Sequence, residues 1–293
     1  MTEIKLKSYT LKSGRHGIFC IPCPGILHKC SRYVKSRGFD YIHKIVMKTK
    51  KYPIAIDILK EYLDIFPKKI NRQNDRGWTA LHLACKNSKT KSTEETVEFL
   101  LSYSDINVNL QNDNGFTPLH LACELYNSSD TTERTVKLLI KHPTIDVNLK
   151  NYCGETPLHL TCKSFRINRK IDILLTHPNI NVNVQNNLGH TPLHLAYHHV
   201  GVFNTLRAIE MLLLHPTIDV NLQDINGETA LNIAFEPIFY KQDENIREKS
   251  IDLLLSHSAI NVNLQDDIGW TVLHRACQRR QIKIVRILLK IFK

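Results

Sequence analysis

Apolar residues recur along this chain in pairs of short clusters, and polar segments separate the two clusters of each pair. The first cluster places Leu and Ala on one face of a helix of about two turns, as in Leu81-His-Leu-Ala84. The second cluster is a denser apolar run, as in Val97-Glu-Phe-Leu-Leu101, and it also predicts a helix. One such pair cannot bury its own apolar faces, so the pattern predicts helix pairs that stack on one another.

A nine-residue string introduces the first helix of six successive pairs. It reads Gly-Trp-Thr-Ala-Leu-His-Leu-Ala-Cys at its first occurrence. The string begins at Gly77, Gly115, Gly154, Gly189, Gly227 and Gly269. Its Gly suits a turn with positive φ, its Thr is a natural N-cap, and the Pro that follows in three strings suits the first helical turn. An Asn or Asp three residues before each Gly can close an Asx turn, so each string predicts a turn followed by a helix.

These strings resemble the ankyrin-repeat family. The motif Thr-Pro-Leu-His-Leu-Ala, complete at Thr117 to Ala122, and the Val-Asn pairs before the turns carry the resemblance. It covers residues 71–293 and implies an all-α repeat solenoid, in which stacked helix-turn-helix units carry projecting hairpin turns. The long units with a recurring His-Pro-x-Ile-Asp-Val-Asn style are similar to ankyrin proteins of large DNA viruses, protists and intracellular bacteria.

The resemblance divides the chain into three parts. Residues 71–293 comprise six repeats, the last of which is a C-terminal cap. Residues 37–70 contain two helix patterns followed by Ile70-Asn71, and we interpret them as a degenerate N-terminal capping repeat. Residues 1–36 form a basic, Cys-containing leader that we expect to be irregular.

The excess of positive charge is confined to the N-terminal part. The chain has a formal net charge of +11, and residues 1–76 hold 17 basic and 6 acidic side chains, so residues 77–293 are neutral overall. A basic segment can bind nucleic acid or an anionic membrane, which is the alternative function for this chain. The absence of a long apolar stretch or a signal peptide points to an intracellular, cytoplasmic protein, located in a host cell if the source is viral or bacterial.

Most His and Cys residues recur with the repeat, which favours a structural role. The family uses a His at the motif position to hydrogen-bond the turn backbone; here these are His82, His120, His159, His194 and His274. Cys replaces a small apolar residue of the motif at Cys85, Cys123, Cys162 and Cys277. Because no phosphate loop, nucleophile elbow or metalloprotease signature occurs, we predict no enzyme activity and no catalytic residue.

One cluster of Cys and His lies outside the repeats. Cys20, Cys23, His28 and Cys30 include a Cys-x2-Cys pair that can place two thiolates on one Zn²⁺. The close spacing of His28 and Cys30 is awkward for a shared ion, so free thiols are the favoured interpretation and no cofactor is expected. Zinc binding and lipidation of Cys20 or Cys23 stay as alternatives.

The concave face of turns and first helices is where the resemblance places a partner. The turn residues that the fold does not fix give the predicted binding set: Arg76, Trp78, Asn114, Phe116, Tyr152, Glu155, Leu188, His190, Glu228 and Trp270. Exposed aromatic residues are frequent binding hot spots, and the set contains three of them in its N-terminal half, Trp78, Phe116 and Tyr152. We therefore expect the strongest contacts towards that half. We therefore expect a monomeric, non-catalytic scaffold for a partner protein, with a host protein as one candidate.

The Val-Asn pairs allow a second interpretation. Asn109, Asn183 and Asn263 follow a Leu at a distance of eight residues, a setting in which asparagines of ankyrin proteins are hydroxylated by an oxygenase. The favoured interpretation is structural, with each Asn hydrogen-bonding to backbone in the hairpin.

Overall fold

The computed structural model describes residues 6–10, 16–20, 41–49, 54–87, 94–124, 130–163, 169–198, 205–235 and 244–291. In these ranges, fourteen α-helices form seven consecutive pairs. The first helices of the pairs are α1 (Tyr41–Val46), α3 (Ala80–Asn87), α5 (Pro118–Glu124), α7 (Pro157–Cys162), α9 (Pro192–His198), α11 (Ala230–Ala234) and α13 (Val272–Gln278). The second helices are α2 (Ile54–Ile65), α4 (Glu94–Leu101), α6 (Asp130–Ile140), α8 (Lys170–Leu175), α10 (Thr205–Leu213), α12 (Glu244–Leu255) and α14 (Ile282–Ile291).

The helix pairs stack into one continuous array. Each first helix packs against the next first helix from α1 to α13, and the second helices pack in the same way from α4 to α12. A single cluster of buried hydrophobic residues extends from Ile42 to Leu288. Cys85, Cys123 and Cys162 are buried in it, where a thiol acts as a small apolar side chain. The predicted stack of helix pairs is confirmed.

Six hairpin turns, here called fingers, project from the array and precede the first helices of the last six pairs. Fingers 1 to 6 span residues 74–79, 112–117, 151–156, 186–191, 224–229 and 266–271. The Asx residue closes each finger, as in finger 1, where Oδ1 of Asn74 accepts the backbone N–H groups of Arg76 and Trp78 at 2.9 Å. The Gly of each finger has a φ of +71° to +78°, which a side chain would strain.

The motif His joins one finger to the next. In finger 1, the Thr79 N–H donates to Nδ1 of His82, so Nε2 carries the proton and donates to the Phe116 carbonyl at 2.9 Å. His120, His159 and His194 make the same link to the following finger. His43 in α1 also contacts the Trp78 carbonyl through Nε2, at 2.8 Å. Helices α1 and α2 therefore stack in register with the repeats.

Two strands lie in the leader, where the sequence predicted irregular chain. Strand β1 (Leu6–Thr10) pairs antiparallel with β2 (His16–Cys20), with Leu6 opposite Cys20 and Thr10 opposite His16. Each run carries aromatic and β-branched residues, among them Tyr9, Ile18 and Phe19, which favour strands. The all-α description therefore applies to the array from α1 onward.

The finger glycines predict a test of finger-to-finger contact. A Cβ added at Gly154 would lie 2.6 Å from the backbone N of Asn187, whereas at Gly269 it would meet no atom within 4 Å. The change Gly269→Ala should therefore cost only the strain of positive φ, about 1 kcal/mol. Gly154→Ala adds overpacking against finger 4 and should cost about 1–3 kcal/mol more in urea unfolding. Equal losses in the two variants would contradict this close contact.

Candidate partner-binding face

The structure places the ten predicted partner-binding residues at three levels of exposure. Arg76, Asn114, Tyr152 and Leu188 are exposed, and Trp78, Phe116, His190, Glu228 and Trp270 are half-buried. Glu155 is only 7 % exposed and forms an ion pair with Lys163. The ten residues do lie on or beside the fingers, but they do not contribute equally to an accessible surface.

Two of the three aromatic residues expected to group near the N-terminal half are partly covered. The rings of Trp78 and Phe116 pack against the core. Each also lies over the motif His of its own unit, with ring centroids 6.0 Å apart for Trp78 and His82. The Lys86 ammonium lies 4.8 Å from the centre of the Trp78 ring, a cation–π contact. These two rings already have neighbours inside the chain.

Exposed apolar side chains lie instead at the tips of fingers 3 to 6. They are Tyr152, Leu188, Ile225 and Ile268, which are 67, 53, 59 and 70 % exposed and are here called the fingertip ridge. Fingers 1 and 2 carry Asp75 and Arg76 or Asp113 and Asn114 at the same places. The ridge includes two residues absent from the predicted set, Ile225 and Ile268.

The backbone beneath the fingertip ridge is fixed by hydrogen bonds between fingers. The Ile225 N–H donates to the Leu188 carbonyl at 3.2 Å, and the Tyr152 N–H donates to the Asn114 carbonyl at 3.2 Å. Finger 6 follows the same pattern, since the Asp267 N–H donates to the Asn226 carbonyl at 3.1 Å. The ridge is therefore presented on an ordered backbone, which lowers the entropy cost of binding.

Charged groups at the base of fingers 5 and 6 are held together by one arginine. Arg275 stands where the motif has Leu. Its side chain is only 14 % exposed and pairs with Glu228 of finger 5 and with Asp266 of finger 6, the latter at 2.6 Å. Burial raises the pKa of Asp266, but the Arg275 guanidinium and the backbone N–H groups of Trp270 and Ile268 together outweigh this and hold that pKa below its usual range.

The buried histidines are neutral over most of the pH range. Burial lowers the pKa of His82, His120, His159 and His194 from 6.5 to about 4, although each ring donates to a carbonyl. Burial raises the pKa of the Cys123 thiol to about 11, and the pKa values of Cys85 and Cys162 are raised further. Thiols with such pKa values stay protonated at neutral pH and are poor nucleophiles.

The asparagines of the Val-Asn pairs bridge neighbouring units. The Asn109 amide donates to the Thr144 carbonyl at 2.6 Å and accepts the Asp146 N–H at 2.9 Å. Asn183 makes the same pair of bonds to Thr217 and Asp219. Asn263 lies in the last unit and is exposed. The bridges account for the first two asparagines structurally, and hydroxylation stays an untested alternative.

The suggested zinc ligands fall mainly outside the described residues. Cys20 ends β2, and Cys23, His28 and Cys30 lie beyond the described ranges. In the part of the chain that the structure describes, no three His, Cys, Asp or Glu side chains are grouped to hold a metal ion. Among the described helices, none has the length and apolar character needed to cross a membrane. Zinc binding stays an untested alternative.

Comparison with known proteins agrees with this architecture. A family profile described as ankyrin repeats (3 copies) matches residues 51–151, 128–224 and 200–293. The chain belongs to the ankyrin-repeat family. Ankyrin repeats are in general protein–protein interaction modules and are typically non-catalytic.

Two solved ankyrin structures illustrate the likeness of the fold. The ankyrin repeat domain of Bcl-3, a member of the IkappaB protein family, has a TM-score of 0.67 and 23 % identity, covering 85 % of this chain and 99 % of that chain. The ankyrin repeat protein EF0377 has a TM-score of 0.57 and 22 % identity, covering 71 % of this chain and 96 % of that chain. No curated protein sequence matches significantly. At these identities the likeness concerns the fold alone.

The neutral histidines predict a pH-dependent stability. The folded pKa of about 4 lies below the unfolded value of 6.5, so the unfolded chain binds more protons between these values. The contribution of each His is fully present above pH 6.5 and is lost as the pH falls through about 4. His120→Asn should therefore reduce the slope of unfolding free energy against pH near pH 5 by about 1 kcal/mol per pH unit.

The slope is measured by urea unfolding at a series of pH values from 4.5 to 6.5. The half-buried His257 provides the control, and His257→Asn should change the slope less than His120→Asn does. A slope that is unchanged in His120→Asn would show that His120 is not held neutral by burial.

The fifth of the six repeats in residues 71–293 lacks the motif His, so a His can be introduced there instead of removed. Asn232 replaces the motif His, and its Oδ1 accepts the Thr229 N–H at 3.1 Å as Nδ1 does elsewhere. Its Nδ2 is buried without a hydrogen-bond partner in the described chain. Asn232→His should let Nε2 reach the Trp270 carbonyl and raise the unfolding free energy by about 1 kcal/mol, measured in urea. A loss of stability would contradict this geometry.

Proposed function

We propose that this ankyrin protein is a non-catalytic scaffold that binds a partner protein through the fingertip ridge. The observation that carries the proposal is the row of four exposed apolar side chains on successive fingers, Tyr152, Leu188, Ile225 and Ile268. No packing reason requires apolar side chains there, because fingers 1 and 2 are built equally well with polar tips. Contiguous exposed apolar surface with a polar rim is typical of protein interaction sites.

The surroundings of the ridge support the same proposal. Polar residues alternate with the ridge residues at the tips; Asn187, Asn226 and Asp267 are exposed there. They supply the polar rim that accompanies an apolar centre in many interfaces. Below the tips, ion pairs such as Lys163–Glu155 and Arg275–Glu228 neutralise the charges of the inner face. At the tips of fingers 3 to 6 the charged residue is Asp267, so a partner meets mainly apolar and neutral polar groups there.

The predicted set and the ridge share Tyr152 and Leu188. Trp78 and Phe116 form only the N-terminal flank of the proposed site, because their rings already contact the core and are partly covered. Host proteins stay candidates for the partner, as the style of the repeats suggested. The proposed centre of binding therefore lies at fingers 3 to 6, whereas the sequence predicted it towards the N-terminal half.

The test compares the ridge with an equally apolar exposed residue elsewhere. The double variant Leu188→Asp/Ile225→Asp should lose the partners that the wild-type chain captures, because it places two charges in the centre of the apolar contact. The control is Leu214→Asp, which changes a residue that is 78 % exposed and follows helix α10, away from the fingers. Affinity purification with quantitative mass spectrometry measures the captured proteins.

Both variants should unfold like the wild type, since none of the three side chains is buried. The proposal requires partners that are lost with the ridge variant and retained with Leu214→Asp. Identical sets of captured proteins for the wild type and the ridge variant would overturn it. If the double variant Trp78→Ala/Phe116→Ala loses these partners and the ridge variant keeps them, the contact lies at the first two fingers.

A further inference from the structure

A cavity of about 320 Å³ lies between the last two helix pairs, away from the fingertip ridge. Ile251 of α12 and Ile282 and Ile284 of α14 form its apolar walls. The sixth unit joins its helices by only three residues, Arg279 to Gln281, whereas the earlier units have longer connections. The short connection places Arg280 and Gln281 directly at the edge of the cavity.

Arg280 adopts a conformation that side chains rarely accept. Its φ is +54°, the only positive value of a non-Gly residue in the described chain. The Arg280 N–H donates to the Cys277 carbonyl and the Gln281 N–H to the Ala276 carbonyl, both at 3.0 Å, which is the Schellman pattern that usually ends a helix with Gly. A strained residue that persists at the edge of a cavity is a reason to look for a function.

The polar groups of the cavity differ in what they offer a ligand. Arg280 makes no ion pair within the described chain, so its guanidinium is available to a carboxylate. Gln281 lines the cavity, and its Oε1, which is buried in this conformation, has no hydrogen-bond donor in the described residues. Arg247 is anchored, since its Nε donates to the Ala234 carbonyl at 3.0 Å. Glu248 adds one negative charge to the same walls.

We propose that this cavity binds the C-terminal residue of a peptide. The terminal carboxylate pairs with the Arg280 guanidinium, which suits a planar anion. The Gln281 side chain turns into the cavity so that its Oε1 accepts the N–H of the terminal residue, and a branched apolar side chain packs against the three isoleucines. Arg247, Glu248 and Arg280 together give the walls a formal net charge of 2 − 1 = +1, which matches a single carboxylate better than a phosphate dianion.

The probe is a fluorescein-labelled Gly/Ser peptide that ends in Leu with a free carboxylate, measured by fluorescence anisotropy on the full chain. We expect saturable binding of the acid, and about ten- to a hundredfold weaker binding of the same peptide with an amidated C-terminus. Equal affinity of the acid and the amide, or no saturable binding at millimolar peptide, would overturn the proposal.

Arg280→Gly separates binding from folding. Gly relieves the positive φ and completes the Schellman turn, so the variant should melt at a higher temperature than the wild type. It also removes the guanidinium, so it should bind the acid peptide at least about tenfold more weakly. Weaker binding by a more stable variant cannot come from unfolding, and undiminished affinity would refute the role of Arg280.

Two further variants complete the test. Arg286→Gln removes a cation from the exposed surface of α14 outside the cavity, and the affinity should stay as in the wild type. Gln281→Leu removes the acceptor and should weaken binding of the acid peptide severalfold. Equal losses in Arg286→Gln and Arg280→Gly would reveal general attraction to positive charge instead of a defined carboxylate site.

Discussion

One carbonyl oxygen at the base of each of fingers 1 to 5 accepts two hydrogen bonds, and the array depends on this shared acceptor. The Phe116 carbonyl receives the Asn112 N–H, which closes finger 2, and Nε2 of His82, which comes from the unit before. The Glu155, His190 and Glu228 carbonyls are shared in the same way. Because one atom serves both the turn and the stack, a finger that closes correctly also offers its neighbour a docking point. Local folding and propagation along the array are thereby coupled, as expected of repeat proteins.

Different residues fix each finger and form its tip, so the tip residues are available for binding. The Asx residue, the Gly and the backbone hydrogen bonds fix each finger, so the turn itself does not depend on the side chains one or two residues before the Gly, although Nδ2 of Asn187 donates to the Tyr152 carbonyl at 2.9 Å. The tip side chains vary freely from Asp75 and Arg76 in finger 1 to Tyr152 in finger 3 and Ile268 in finger 6. A surface of this kind can acquire an apolar character without cost to the core, and its rigidity comes from the bonds between fingers.

The sequence could predict what is set by local chemistry and could not predict what is set by the next unit. The Asx turn, the positive φ of Gly and the capping Thr follow from residue types alone, and the structure has all three. Residues that follow the finger Gly, such as Trp78, are half-buried or buried, whereas residues that precede it, such as Ile268, are exposed, and the residue types alone do not reveal which side of the Gly faces the core. His43 could have been found, since it precedes His82 by 39 residues, within the range of the repeat spacing. The motif residues Thr-Pro do not precede His43, so its place in the repeat is not evident from the sequence.

The last junction of the array shows how one lost link is replaced by a different kind of contact. Asn232 lacks the donor that reaches the next finger, and across this same junction Arg275 joins Glu228 to Asp266. Arg279 adds a hydrogen bond to the Phe235 carbonyl. The motif-His link of the internal junctions is a neutral hydrogen bond, which salt hardly affects, whereas the Arg275 contacts at the last junction are charged and are screened by ions wherever water reaches them. Ile268 and the Arg280 cavity both belong to the unit held in this way. The attachment of that unit therefore governs the end of the fingertip ridge and the walls of the cavity together.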